Sequence, residues 1–238
     1  MADPFVLRAE GIGRSFGRLE ALKSASLWAE AGCVTTIMGR NGSGKTTLMR
    51  IAAGWLRPDY GTVALHGTIR ERPTLAEWAH LGLMYVPQSQ LVMSGFSVRQ
   101  HFSAVGRAFG TDHVASAISR TRLEPFLDQP ARTLSGGERV RLSLGLILAR
   151  APSVLLVDEP LVGLAPNDQE AFGEMLAEMA RGGCAVVTSG HDARVLLSIS
   201  DRIIWSVAGT THLIGSAADA KANEQFRREY LGPGWADA

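Results

Sequence analysis

Residues 39 to 47 read GRNGSGKTT, with glycines at 39, 42 and 44, a lysine at 45 and hydroxyl side chains at 43, 46 and 47. Gly42 and Gly44 let the backbone turn tightly and aim successive N–H groups at phosphate oxygens. A helix starting behind them adds its positive end. Gly39, Gly44, Lys45 and Thr46 satisfy G-x-x-x-x-G-K-[ST]. The whole loop, with Arg40, Asn41, Ser43 and Thr47, therefore reads as a cradle for nucleotide phosphates. Lys45 would reach the β- and γ-phosphates, and the Thr46 hydroxyl would ligate Mg²⁺. Residues 155 to 160, LLVDEP, end an apolar run in two carboxylates. Asp158, costly there without a partner, would belong to the magnesium shell. Glu159 could polarise a water in line with the γ-phosphate.

These residues need elements to position them. CVTTIM (33 to 38) is an apolar run suited to a strand covered on both faces, and KTTLMRIAAGW after the loop has a helical pattern that stops near Pro58. The first thirty residues read as short strands with turns. TVALHG (62 to 67) and LGLMYVPQ (81 to 88) read as further strands, the latter ended by Pro87. From about 89 to 150 the pattern turns helical. One helix puts Phe102, Val105 and Phe109 on one face, a second covers 112 to 121, and a third buries Leu142, Leu146 and Ala149. SVLLVDEP, NDQEAFGEMLAEMA, CAVVTSG and DARVLLSIS then alternate strand and helix, before the strands DRIIWSV and THLIG and a final helix. That alternation predicts a parallel sheet with helices on both faces and a helical insertion.

LSGGE at 134 to 138 opens the third of those helices. Taken alone it is a capping box, Ser135 with Glu138 three residues on. Together with the cradle, LLVDEP, Gln88 and His191, in that order along the chain, it resembles the ATP-binding cassette family, and the resemblance covers nearly the whole sequence. It implies an α/β fold of the P-loop NTPase, RecA-like type: a mostly parallel sheet core, about 1–88 and 151–238, with an N-terminal antiparallel β subdomain and a helical subdomain at about 89–150. It implies ATP hydrolysis with Glu159 as general base, Gln88 sensing Mg²⁺ and the water, and His191 steadying the γ-phosphate. Phe16 falls where the family stacks an aromatic on adenine. Ser135, Gly136 and Gly137 would touch the nucleotide held by the cradle of a second cassette subunit, identical or not, so that ATP joins two subunits. One departure stands out: the loop after DEP, which in the family ends in Leu-Asp, here has Leu164 and Ala165.

The 238 residues suit one large α/β domain, 46% hydrophobic and 20% charged. A formal net charge of +1 gives no electrostatic footprint for nucleic acid. The opening MADPFVLRAEG lacks the basic end and apolar stretch of a signal peptide, and Cys33 and Cys184 read as small core residues. The expectation is a cytoplasmic protein, peripheral on the inner face of the membrane, that works with separate transmembrane permease subunits. The apolar LVMSGF (91 to 96) lies where the family docks such a subunit. The sequence is similar to cassettes for branched-chain amino-acid import and lipopolysaccharide-type export, and leaves the cargo open. The rival, a soluble cassette ATPase acting on nucleic acid or protein complexes, usually carries a coiled-coil insertion or two fused cassettes; this chain has neither.

Overall fold

The computed structural model describes residues 4–88, 91–191 and 193–231. Along the chain these form β1 (Phe5–Phe16), β2 (Leu19–Glu30), β3 (Val34–Met38), α1 (Lys45–Ala52), β4 (Tyr60–Leu65), β5 (Thr68–Arg70), α2 (Leu75–His80) and β6 (Leu83–Val86). Then follow α3 (Val98–Phe109), α4 (Val114–Arg120), α5 (Gly136–Arg150), β7 (Val154–Val157), α6 (Pro166–Arg181), β8 (Ala185–Gly190), α7 (Ala193–Ile199), β9 (Arg202–Val207), β10 (Thr210–Gly215) and α8 (Ala217–Ala222). A short helical segment runs on to Leu231.

One sheet of ten strands holds the described residues, in the order β5-β4-β1-β2-β10-β9-β3-β8-β7-β6. Strands β9, β3, β8, β7 and β6 run parallel. The β1, β2, β4 and β5 end is antiparallel. Every residue of β3, β7 and β8 is buried, the hydroxyl residues Thr35, Thr36, Thr188 and Ser189 included, which is why these segments show no alternation of apolar and charged residues. Helices cover both faces. Leu48, Met49 and Ile51 of α1 pack one side, and Phe172 and Leu176 of α6 the other. Each such side chain contributes about 1.5–3 kcal/mol on burial.

The stretch from 91 to 150 has an apolar cluster of its own, in which α5 presents Leu142, Leu146 and Ala149 to Phe102 of α3 and Ala117 of α4. Gly145 makes this packing close: a Cβ there would lie 2.8 Å from Phe102 Cζ and 3.0 Å from Thr121 Oγ1. Capping boxes start α3 at Ser97 and α5 at Ser135.

Three expectations need correction, and two short elements are additional to the sequence reading. The opening segment is not a set of short strands but two strands of 12 residues each, kept continuous by irregular pairing around Gly11 at φ 60°. Phe109 ends α3 45% exposed, beyond the reach of the cluster, with the Arg150 guanidinium 3.9 Å from its ring centroid. Cys33 is only half-buried, since it sits in the turn before β3; burial and then Glu30 push its thiol pKa up. Cys184 is buried as expected, its thiol pushed up to about 12 by desolvation. Finally, α2 and β5 were not expected, although TLAE at 74 to 77 spells the capping box that starts α2.

Candidate active site

The cradle is the turn from the end of β3 into α1. Gly44 precedes the helix at φ 106°, where a Cβ would lie 2.6 Å from Leu22 Cδ2, so both conformation and space demand glycine. A Cβ on Gly39 would lie 2.3 Å from the carbonyl oxygen of Ser206. The loop thus lies against the end of β9, and Ser206 Oγ fixes it by donating to the Ser43 carbonyl at 3.0 Å.

An open cleft of about 660 Å³ lies over this turn; Phe16, Asn41, Lys45, Thr46, Gln88 and Glu159 are among the residues that line it. Gly42, Gly44 and Thr47 border it too, whereas Arg40 and Ser43 border a second depression near Trp205. Gly39 acts from beneath, through the close approach just described. Phe16 is 45% exposed, with the Arg14 guanidinium 5.0 Å from its ring centroid.

Two neighbouring carboxylates at the end of β7 have opposite surroundings. Asp158 is 1% exposed. Its Oδ1 accepts from Ser189 Oγ at 2.6 Å and Thr46 Oγ1 at 3.2 Å, and its Oδ2 from Tyr85 OH at 3.3 Å. Those donors satisfy a charge that burial would otherwise make costly. Burial, then the Asp158 charge, pushes the Tyr85 phenol up to about 12, so it stays a protonated donor at any physiological pH.

Glu159 faces the cleft instead. Its Oε1 lies 3.6 Å from Lys45 Nζ, and its Oε2 lies 3.4 Å from Gln88 Nε2 and 3.6 Å from His191 Nδ1. The Lys45 ammonium also donates to the carbonyls of Gly39 at 2.8 Å and Arg40 at 3.2 Å. Base, cation, amide and imidazole from four separate segments therefore converge on one point above the cradle. This is a constellation suited to in-line attack of water on a phosphate.

The residues fit magnesium. Thr46 and Asp158 put hard oxygen donors side by side, and among the described residues no group of three or more His, Cys, Asp or Glu could hold a metal unaided. One carboxylate and a hydroxyl, completed by nucleotide oxygens and water, is the usual protein share for Mg²⁺.

Ser135, Gly136 and Gly137 lie at the start of α5, where Gly136 borders a further depression shared with Gln88 and Glu159. None of them lines the cleft, and Ser135 and Gly136 are exposed at the tip of α5. Ser135 Oγ accepts the Glu138 N–H at 3.3 Å while Glu138 Oε2 accepts the Ser135 N–H at 2.7 Å, which lowers the Glu138 pKa. Sequence reasoning missed Ser189 and Tyr85, which hold Asp158.

Ala165 starts α6 as an N-cap without a side-chain hydrogen bond. Ala165→Asp is expected to supply the missing acceptor, stabilise the chain by about 1 kcal/mol and raise Tm by about 2–4 °C, read by calorimetry. An unchanged Tm would show that the first turn of α6 gains nothing from a cap.

The family model described as ABC transporter matches residues 22–162, and the chain belongs to that family. A zinc import ATP-binding protein of Halorhodospira halophila is 32% identical over 238 residues, covering 98% of this chain and 86% of that protein. A lipopolysaccharide export system ATP-binding protein of Acidithiobacillus ferridurans is 28% identical over 233 residues, 95% of this chain and 97% of that one. In fold, the chain is similar to an ATP-binding cassette of an ABC transporter solved in its ADP conformation, with a TM-score of 0.85 at 23% identity over 96% of this chain and 99% of that one. It is thus an ATP-binding, ATP-hydrolysing subunit of ABC transporter type, built on the α/β P-loop fold.

Proposed function

We propose that this cassette closes head to tail with a second cassette around two MgATP and drives a separate membrane permease. In that assembly Thr46 and Asp158 hold Mg²⁺, whose charge offsets that of the phosphates. Lys45 binds the β- and γ-phosphates, and Glu159 takes the proton of the attacking water. Gln88 and His191 orient that water and the γ-phosphate, and Phe16 stacks on the adenine. Ser135, Gly136 and Gly137 close the site of the other subunit with N–H groups at a helix start.

The observation that carries the dimer is the position of that tip, exposed and outside the cleft of its own chain. Because the tip does not line that cleft, a second copy or a related subunit is the partner that would bring it to the γ-phosphate. ATP then favours the closed pair, and its loss by hydrolysis releases it. Analytical ultracentrifugation of Glu159→Gln at saturating MgATP is expected to show dimer, and monomer without nucleotide. Monomer under both conditions defeats the proposal.

The permease reading is supported by the loop before α3. Met93 is 62% and Phe96 48% exposed, yet their backbone is anchored. His101 Nε2 accepts the Met93 N–H at 2.9 Å, and the Phe96 carbonyl accepts the Ala131 N–H at 2.8 Å. Apolar side chains held outward by a fixed backbone suit the docking of a partner. In this reading, which follows from membership of the ABC transporter family, a separate permease chain supplies the spans and this one lies on its cytoplasmic face; among the described residues no helix is long and apolar enough to cross a membrane. Phe96→Asp is expected to leave Tm and MgATP binding unchanged and to lose at least about 1.4 kcal/mol, a tenfold drop, in recovery of a multi-span protein pulled down from solubilised native membranes. Undiminished recovery removes this loop from the docking surface.

A further inference from the structure

Ser189 lies on the last turn of pleat of β8, two residues before His191, and is fully buried. Its hydroxyl makes two hydrogen bonds in opposite senses. It donates to Asp158 Oδ1 at 2.6 Å and accepts the backbone N–H of Glu159 at 3.0 Å. A carboxylate can only accept and a backbone N–H can only donate, so the direction of both bonds is fixed. Glu159 itself has φ 47°, a left-handed conformation that a residue with a Cβ adopts at a cost. The bond from its N–H is therefore made by a residue whose backbone is strained, at the point where its side chain must turn from the strand toward Lys45.

We infer that Ser189 is a positioning residue that joins the two carboxylates: one hydroxyl fixes Asp158 Oδ1 beside Thr46 and pins the left-handed turn that aims Glu159 at the reacting water. It touches neither nucleotide nor water and acts through its two neighbours. The preceding residue in the strand supplies an internal contrast. Thr188 is equally buried, but its Oγ1 has no hydrogen-bond partner, so a buried hydroxyl in β8 is not of itself engaged. Nor is Ser189 replaceable by Tyr85, which reaches only the other oxygen of Asp158.

The inference rests on Glu159 being the general base, and the test separates the two. Ser189→Ala, Ser189→Thr, Thr188→Val and Glu159→Gln are compared in the full chain, for steady-state hydrolysis of MgATP and for amide hydrogen exchange at Glu159 without nucleotide. Ser189→Ala is expected to lower kcat about tenfold to a hundredfold, the scale of a misplaced catalytic group, with KM for ATP little changed and exchange at Glu159 accelerated. Ser189→Thr keeps the hydroxyl, at a position that borders a cavity of about 150 Å³, and recovers both readouts. Thr188→Val moves neither. A kcat for Ser189→Ala equal to that of Thr188→Val overturns the inference, whether or not exchange rises. If Glu159→Gln hydrolyses at the wild-type rate, the base assignment falls by itself; unchanged exchange at Glu159 in Ser189→Ala, in turn, removes the pinned turn whatever the base is.

Discussion

Glu159→Gln is expected to lower kcat for MgATP hydrolysis by a factor of about 10²–10⁴, the usual contribution of a general base, while MgATP affinity changes little. The substitution is close to isosteric. The hydrogen bond that anchors residue 159 is from its backbone N–H to Ser189 Oγ and does not depend on the side chain. The left-handed φ of 47° is no harder for glutamine than for glutamate. Gln88 and His191, 3.4 and 3.6 Å from Oε2, would keep a polar neighbour. What disappears is the capacity to accept a proton, together with the negative charge 3.6 Å from Lys45 Nζ. Binding, which needs Lys45 and the loop N–H groups, survives; chemistry does not. Phosphate release measured beside nucleotide binding decides it. A rate within a few-fold of wild type would mean that the water is activated by another group, and Asp158, already accepting three hydrogen bonds, is poorly placed to be it.

The parts of this site that the sequence disclosed are those whose physics is local. The cradle is nine consecutive residues in which glycine conformation, helix start and cation act within one turn. The Ser135 and Glu138 capping box is likewise complete within four residues. The strands β3, β7 and β8 announced themselves because burial on both faces leaves no charged residue in them, and the polar ones they hold, Thr35, Thr36, Thr188 and Ser189, are small. Ser189 was hidden for the opposite reason. Its meaning comes from Asp158, 31 positions away, and from a backbone angle at Glu159 that no composition signals. In CAVVTSG it looks the same as Thr188, whose hydroxyl has no hydrogen-bond partner. Helix α2 escaped because it has six residues and buries only Trp78, too little for a periodic pattern. Phe109 was misjudged because periodicity gives the face of a helix but not where the neighbouring helices end.

Lys45→Ala is expected to weaken MgATP binding about tenfold to a hundredfold, corresponding to about 1.5–3 kcal/mol for hydrogen bonds from a charged group, and to bring hydrolysis to background. The lysine is 4% exposed, a burial that is costly for an ammonium. Its partners within the chain are two loop carbonyls, at 2.8 and 3.2 Å, and the Glu159 carboxylate at 3.6 Å. Those contacts hold the side chain over the cleft but are not needed to fold it. Gly39 and Ser43 are fixed independently, by Ser206 and by the N–H of Gly209, which donates to the Ser43 carbonyl at 3.3 Å. The loop therefore keeps its shape without the ammonium, and Tm should move little. Binding and stability separate in this variant: a residue that served the fold would lose both. Lys45→Arg is expected to fail as well, because a planar guanidinium cannot replace a compact point charge in a space enclosed by the backbone it serves. Wild-type affinity in Lys45→Ala, measured calorimetrically with Mg²⁺ present, would place the phosphates elsewhere in the cleft. A large fall in Tm would instead make the lysine a buttress of the loop, and its distance from Glu159 a consequence of folding rather than of catalysis.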